Sequence, residues 1–134
     1  MTSRADIERT LRDAYTARQR GDLDALARVF APHARFQIAG CDASPVATLA
    51  VGAEQYRPLL AGMIKTFELL DHSIESMLID GSKAAVLWRA KIRSSATGET
   101  VETDLCDLVE VENGQISSFF EFCDTALAGR LMNR

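Results

Sequence analysis

The stretch VETDLCDLVEVENGQISSFFEFCD, Val101 to Asp124, constrains this chain more than any other. Asn113-Gly114 in its middle is the dipeptide that tight β-hairpins prefer, because both residues tolerate the positive φ of a type I′ turn. On the near side of the turn, Val101, Thr103, Leu105, Val109 and Val111 alternate with Glu102, Asp104, Cys106, Leu108, Glu110 and Glu112. Successive strand side chains point to opposite faces, so the odd positions form an apolar face and the even ones a mostly acidic face. Asp107 breaks that pattern as a carboxylate on the side that otherwise enters the core. An unpartnered buried charge is costly, so such a residue is neutralised by its surroundings or lines a cavity. Asp107 is the first candidate for function.

Composition bounds the rest. With 134 residues, 47% of them hydrophobic, the chain reads as one domain spanning 1–134. That length buries roughly two-thirds of the unfolded surface. The net charge is −4 and the basic residues are scattered, which argues against a nucleic-acid partner and leaves no membrane footprint. Cys41, Cys106 and Cys123 are widely spaced and read as reduced thiols rather than a disulfide framework. The opening MTSRADIERT lacks an apolar signal region, and no apolar run reaches the ~18 residues of a membrane span. The expectation is a soluble, cytoplasmic protein.

Ser3, with Asp6 three residues later, caps a first helix whose Ile7, Leu11, Ala14 and Tyr15 share a face. Arg9, Arg12, Asp13 and Arg18 fall largely elsewhere, and Gly21 ends the helix. Asp22 caps a second helix, with Leu23, Leu26, Ala27 and Phe30 as its stripe and Pro32 as its stop. A strand over 34–39 follows, then a loop over 40–51 that carries a small strand at 46–50. Tyr56, Leu59, Leu60, Met63, Ile64 and Phe67 give a third helix over 53–67, with Pro58 arguing for a later start. Strands are predicted over 72–79, 84–94 and 101–111, the first pair turning at Asp80-Gly81. A two-residue turn at Thr97-Gly98 sets Arg93 opposite Glu102, Lys91 opposite Asp104 and Trp88 opposite Asp107. Every such pair is chemically sensible. Helices followed by antiparallel strands make an α+β domain.

Several local motifs, in order along the chain, resemble the nuclear transport factor 2-like superfamily and its SnoaL-like branch. They are YTARQRGDLDALARVF at Tyr15–Phe30, F-A-x-x-A at Phe30–Ala34, Gly52-Ala53 opening the third helix, D-x-x-x-x-x-N-G-x-I at Asp107–Ile116, and the closing EFCDTA at Glu121–Ala126. The resemblance implies a cone-shaped α+β barrel, with three N-terminal helices packed in a curved, mainly antiparallel sheet. It also implies an apolar pocket at the open end and a homodimer through the outer sheet face. Members include ketosteroid isomerase, polyketide cyclases, limonene epoxide hydrolase, scytalone dehydratase and non-catalytic modules, so the site must be argued residue by residue.

Asp107 matches the pocket carboxyl group of cyclases and ketosteroid isomerase, where a raised pKa suits a general acid, general base or hydrogen-bond donor. The alternative is an Asp that accepts a hydrogen bond from Trp88 or Tyr15 and orders the core. Glu121 matches the second aspartate of limonene epoxide hydrolase. A strict two-residue Asn-Gly turn sends Glu121 outside with Phe120 and Phe122 inward; a bulged turn at Glu112–Gly114 puts Phe119, Glu121 and Cys123 inside. The apolar pattern favours neither, and the resemblance favours the bulge. Ile38 stands where the isomerase keeps its base, and Trp88 and Ala90 where the hydrolase keeps its arginine and first aspartate. Neither mechanism transfers. Tyr15 lies one position off the isomerase tyrosine.

The candidate catalytic residues are therefore Asp107, Glu121 and Tyr15. Candidate pocket residues are Trp88, Phe119, Val109, Leu105, Ile38, Tyr56, Met63 and His72. No clustered His/Cys spacing suggests a metal and no glycine-rich phosphate loop a nucleotide, so no cofactor is expected. Two functions compete. One is cofactor-independent acid/base chemistry, of isomerase, cyclase or dehydratase type, on a small hydrophobic carbonyl compound. The other is a non-catalytic ligand-binding or dimerisation module.

Overall fold

Local signals close to the N-terminus set the first helices. In the computed structural model, which describes residues 2–133, Ser3 Oγ accepts from Asp6 N at 3.1 Å and starts α1, Arg4–Arg20. Gly21, at φ 67°, closes it, with its N–H reaching back to the carbonyls of Ala17 and Arg18. Ile7 and Leu11 on the inner face are wholly buried, each contributing about 1.5–3 kcal/mol by leaving water. Asp22 caps α2, Leu23–Arg28, accepting from Ala25 N at 3.0 Å. The helix stops there rather than running on to Pro32. Phe30 already begins β1, Phe30–Ile38. Pro32 is tolerated in this strand because its register slips between Phe30 and Arg35, so no neighbour calls on the missing N–H.

Next come β2, Thr48–Val51, and α3, Ala53–Thr66. Pro58 does not delay α3. It removes a bond to the carbonyl of Glu54, an exposed residue whose oxygen water can satisfy. Phe67 is the first residue of β3, Phe67–Asp80, not the last of the helix, so this strand starts five residues before the predicted His72. Then follow β4, Lys83–Ser94, β5, Thr100–Glu112, and β6, Gln115–Phe122. Asp80 pairs with Lys83, so the turn falls on Gly81-Ser82 rather than Asp80-Gly81. A fourth helix, α4 at Thr125–Met132, was not anticipated.

The six strands lie in the order β2-β1-β6-β5-β4-β3, and only β1 and β6 run parallel. Irregular steps between Leu69 and Asp71 and between Ile74 and Ser76 interrupt β3. Bulges of this kind bend a strand and increase its twist, and the curved sheet wraps the helices. The α+β cone is thus the architecture of the chain. One register differs from expectation. Lys91, not Arg93, lies opposite Glu102; Arg89 opposite Asp104; Trp88 opposite Leu105; and Val86 opposite Asp107. The turn is a longer loop through residues 95–99, in which Ser94 N donates to Glu99 O at 2.9 Å. A slip of two residues keeps every side chain on its face and every facing charge pair opposite in sign. Charge complementarity therefore could not choose between the registers.

The inner face of the sheet and the helices share one core, including Phe36, Val86, Trp88, Val111 and Ile116. The outer face keeps large apolar side chains in water. Leu78 is 68% exposed, Leu108 47%, Leu87 44% and Phe122 42%. Phe120 packs on Phe122 there, ring centroids 4.6 Å apart.

Candidate active site

The β5–β6 hairpin combines both geometries weighed from the sequence. Asn113 (φ 52°) and Gly114 (φ 78°) form a two-residue turn, with Glu112 opposite Gln115. The register then shifts between Val111↔Ile116 and Glu110↔Ser118, leaving Ser117 as the extra residue. Its Oγ donates to Glu110 O at 3.2 Å. The bulge is therefore at Ser117, not at Glu112–Gly114. Beyond it Phe119 and Glu121 face inward, opposite Val109 and Asp107.

Asp107 is completely buried. Its Oδ2 accepts from Tyr15 Oη at 2.6 Å and from Trp88 Nε1 at 2.8 Å, and the Tyr15 and Trp88 rings lie 4.9 Å apart. Its Oδ1 has no hydrogen-bond partner. Burial drives the Asp107 carboxyl well above the usual carboxylate range, and the charge of Glu121 across the ladder pushes it the same way; the Tyr15 and Trp88 hydrogen bonds only moderate this. Burial also raises Glu121, against the opposing influence of Asp107 and the Arg18 guanidinium. Two carboxyl groups facing each other out of water cannot both ionise cheaply, so the pair retains a proton. Placing that proton on Asp107 Oδ1 gives the orphaned atom a role and leaves Glu121, nearer the cation, as the anion. Tyr15 is raised well above its ordinary value by burial and by Asp107, so it stays a neutral donor.

A cavity of about 120 Å³ opens beside this pair. Tyr15, Trp88, Leu105, Ile38, Met63, Phe119 and Glu121 line it. Asp107 does not; it sits behind Tyr15, Trp88 and Glu121. Val109 is buried opposite Phe119, two residues nearer the turn, and stays off the lining. Tyr56 also lies away from it, packed on Phe30 with its hydroxyl donating to Ala31 O at 3.2 Å. His72 is held outside by a hydrogen bond between its Nδ1 and the Gln19 side chain, and burial lowers its pKa.

Two contributors had not been recognised. Arg18 follows Tyr15 by three residues on α1 and so shares its face; reading it as part of the polar side hid it. Burial lowers its pKa, Glu121 opposes that shift, and its Nη2 donates to Met63 O at 3.3 Å and Phe67 O at 2.5 Å. The second is α4, whose Leu127, Ala128 and Leu131 close one side of the cavity. Asp124 Oδ1 caps it by accepting from Leu127 N at 3.0 Å, and Ser94 Oγ donates to Leu131 O at 2.5 Å. A Cβ on Gly129 would lie 3.2 Å from Pro45 Cγ, so the helix seats tightly on the preceding loop. An Asp cap with leucines four apart signals this helix; the expectation of a closing strand obscured it.

Among the described residues, no three His, Cys, Asp or Glu side chains converge as metal ligands do, and the cysteines are free. No helix among the described residues is long and apolar enough to cross a membrane.

A curved sheet wrapped around helices, with a buried acid pair beside a cavity, places the molecule in the NTF2-like, ketosteroid isomerase-like fold class. The chain belongs to the SnoaL-like domain family, whose model matches residues 11–119. Solved structures agree on the fold. An NTF2-like protein of unknown function from Burkholderia pseudomallei superimposes with TM-score 0.82 at 20% identity, covering 96% of this chain and 98% of that one. An LEH-like epoxide hydrolase from M. tuberculosis gives 0.75 at 16% identity, covering 93% and 89%. A protein of ketosteroid isomerase-like fold from Catenulispora acidiphila, in complex with trimethylamine, gives 0.71 at 12%, covering 84% and 82%. No curated protein matches the chain.

Proposed function

We propose that this domain binds a small, largely apolar carbonyl compound in the cavity and moves a proton to and from it without a cofactor. The observation that carries this reading is Glu121, a carboxyl group on the wall of an apolar cavity whose pKa is raised by burial. A carboxylate with a raised pKa is a stronger base than a free one. With its pKa nearer neutrality, both its ionised form, which takes the proton, and its protonated form, which returns it, are populated. In the forward step Glu121 takes a hydrogen from the carbon next to the carbonyl. The C–H electron pair becomes the C=C bond of an enolate, and the negative charge moves to the carbonyl oxygen. Arg18, on the same lining, stabilises that oxygen. Asp107 acts from behind as a positioning residue: its retained proton keeps the facing pair to a single negative charge, while Tyr15 and Trp88 hold its carboxyl group in place. Returning the proton to the same carbon completes an exchange. In a β,γ-unsaturated carbonyl compound the anion is a dienolate, and delivering the proton to its γ-carbon completes an isomerisation.

Deuterium exchange into the methyl group of acetophenone, followed by NMR in D₂O, tests the reading. The wild type should accelerate exchange over buffer, and Glu121→Gln should lose the acceleration while remaining folded. Exchange no faster than in buffer, or an undiminished Glu121→Gln variant, rejects catalysis.

One observation favours the competing reading of a non-catalytic binding or dimerisation module. Asp107 lies off the lining with its Oδ2 already taken by two donors, as suits a residue that orders the core. The exposed Leu78, Leu87, Leu108 and Phe122 further support a homodimer through the outer sheet face, and such a dimer is compatible with either reading.

A further inference from the structure

The charges around the cavity balance before any ligand arrives. Arg18 comes from α1 and Glu121 from β6, and among the described residues the remaining charged side chain on the lining is Asp124, exposed at the rim. Asp107 keeps a proton behind the wall, and the Cys123 thiol, pushed up to about 11 by burial, is neutral at physiological pH. The interior thus holds one cation and one anion in otherwise apolar surroundings.

We infer that the cavity is built for an uncharged molecule about the size of a single ring, and that the opposed charges of Arg18 and Glu121 set this selectivity. A carboxylate would bring a second negative charge beside Glu121, and an ammonium a second positive one beside Arg18. Each would shed its hydration without gaining a free counter-charge, which is unfavourable. A neutral carbonyl upsets nothing. Arg18 gives one nitrogen to the Met63 and Phe67 carbonyls and has further donors for a ligand oxygen. Balance also survives the proton transfer, since Glu121 becomes neutral as the ligand becomes an enolate facing Arg18. Size follows from the volume. An engineered protein cavity of about 150 Å³ holds benzene, and this one is about 120 Å³ with α4 in place. The inference rests on the reading of the cavity as a ligand site, not on catalysis there.

Titration of the wild type at pH 7 with acetophenone, benzoate and benzylammonium, three single-ring probes of nearly equal size, tests the charge rule by calorimetry or ligand-observed NMR. Androstenedione, neutral but four-ringed, tests the size rule. Acetophenone should bind at least about tenfold more tightly than either ion, and androstenedione should not compete. Glu121→Gln leaves Arg18 unopposed and should strengthen benzoate binding about tenfold or more, whereas Arg18→Met should do so for benzylammonium. If Arg18→Met fails to fold, the wild-type ranking and Glu121→Gln decide. An ion that binds the wild type as tightly as acetophenone overturns the inference. So do absent acetophenone binding, preferred androstenedione, or an unaltered ranking in Glu121→Gln. Selective acetophenone binding without methyl exchange would instead remove catalysis and leave the inference standing.

Discussion

Replacing Asp107 by Asn separates an uncharged buried acid from an ionised structural one. The Asn carbonyl can keep both hydrogen bonds that Oδ2 now accepts from Tyr15 and Trp88. Its amide then stands where Oδ1 lies without a partner and can donate to Glu121. No cavity and no orphaned donor result, so the packing cost is near zero. The electrostatic consequence has a definite sign. Asp107 is raised well above its ordinary value, so the unfolded chain ionises near pH 3.9 while the folded chain keeps the proton. Below that pH the two states are equally protonated. Above it folding must take up a proton, and stability falls by up to about 1.4 kcal/mol per pH unit until the folded-state pKa is passed. Asn has no such slope. Urea unfolding from pH 3.5 to 8 should show the variant close to wild type at the acid end and increasingly more stable toward neutrality. Asp107→Ala is the contrast. It strands the Tyr15 hydroxyl and the Trp88 N–H in the core, at about 1–3 kcal/mol each. Refutation is equally concrete: an Asn variant more than about 1.5 kcal/mol less stable than wild type at pH 7 would mean that Asp107 is ionised and structural.

The remaining predictions concern the seat of α4 on the sheet and the outer sheet face. Ser94 is 1% exposed and ties α4 to the sheet through Leu131 O, while also accepting from Thr97 N at 3.1 Å. Ser94→Ala should cost about 1–3 kcal/mol and speed hydrogen exchange across 125–132; unchanged exchange there would show that the latch does not hold the helix. Leu108→Glu on the outer sheet face should leave the monomer fold intact and convert a dimer to monomer in sedimentation velocity. A wild type that already sediments as a monomer at micromolar concentration removes the dimer proposal.

Several features encoded within a few residues were legible from sequence, although the locally signalled α4 was not among them. Ser3 and Asp22 as helix caps, Gly21 as a stop and Asn113-Gly114 as the turn each act through their own backbone, so no distant contact could override them. Asp107 stood out because strand alternation assigns a face without any knowledge of the partner strand. Features resting on how elements meet were not legible. The β4–β5 register differs by two residues from the one inferred, and two is the shift that alternation and charge pairing cannot detect. Glu121 turns inward because Ser117 is accommodated as a bulge, and a polar serine reads equally well as an ordinary strand residue. Arg18 lies at the edge of an amphipathic stripe, where packing alone decides whether a long side chain reaches solvent or a cavity. The alternation of β5 put Asp107 on the buried side of the sheet, but depth along that side is a tertiary property. Tyr15 and Trp88, brought in from another helix and another strand, stand in front of it and leave Glu121 at the cavity wall.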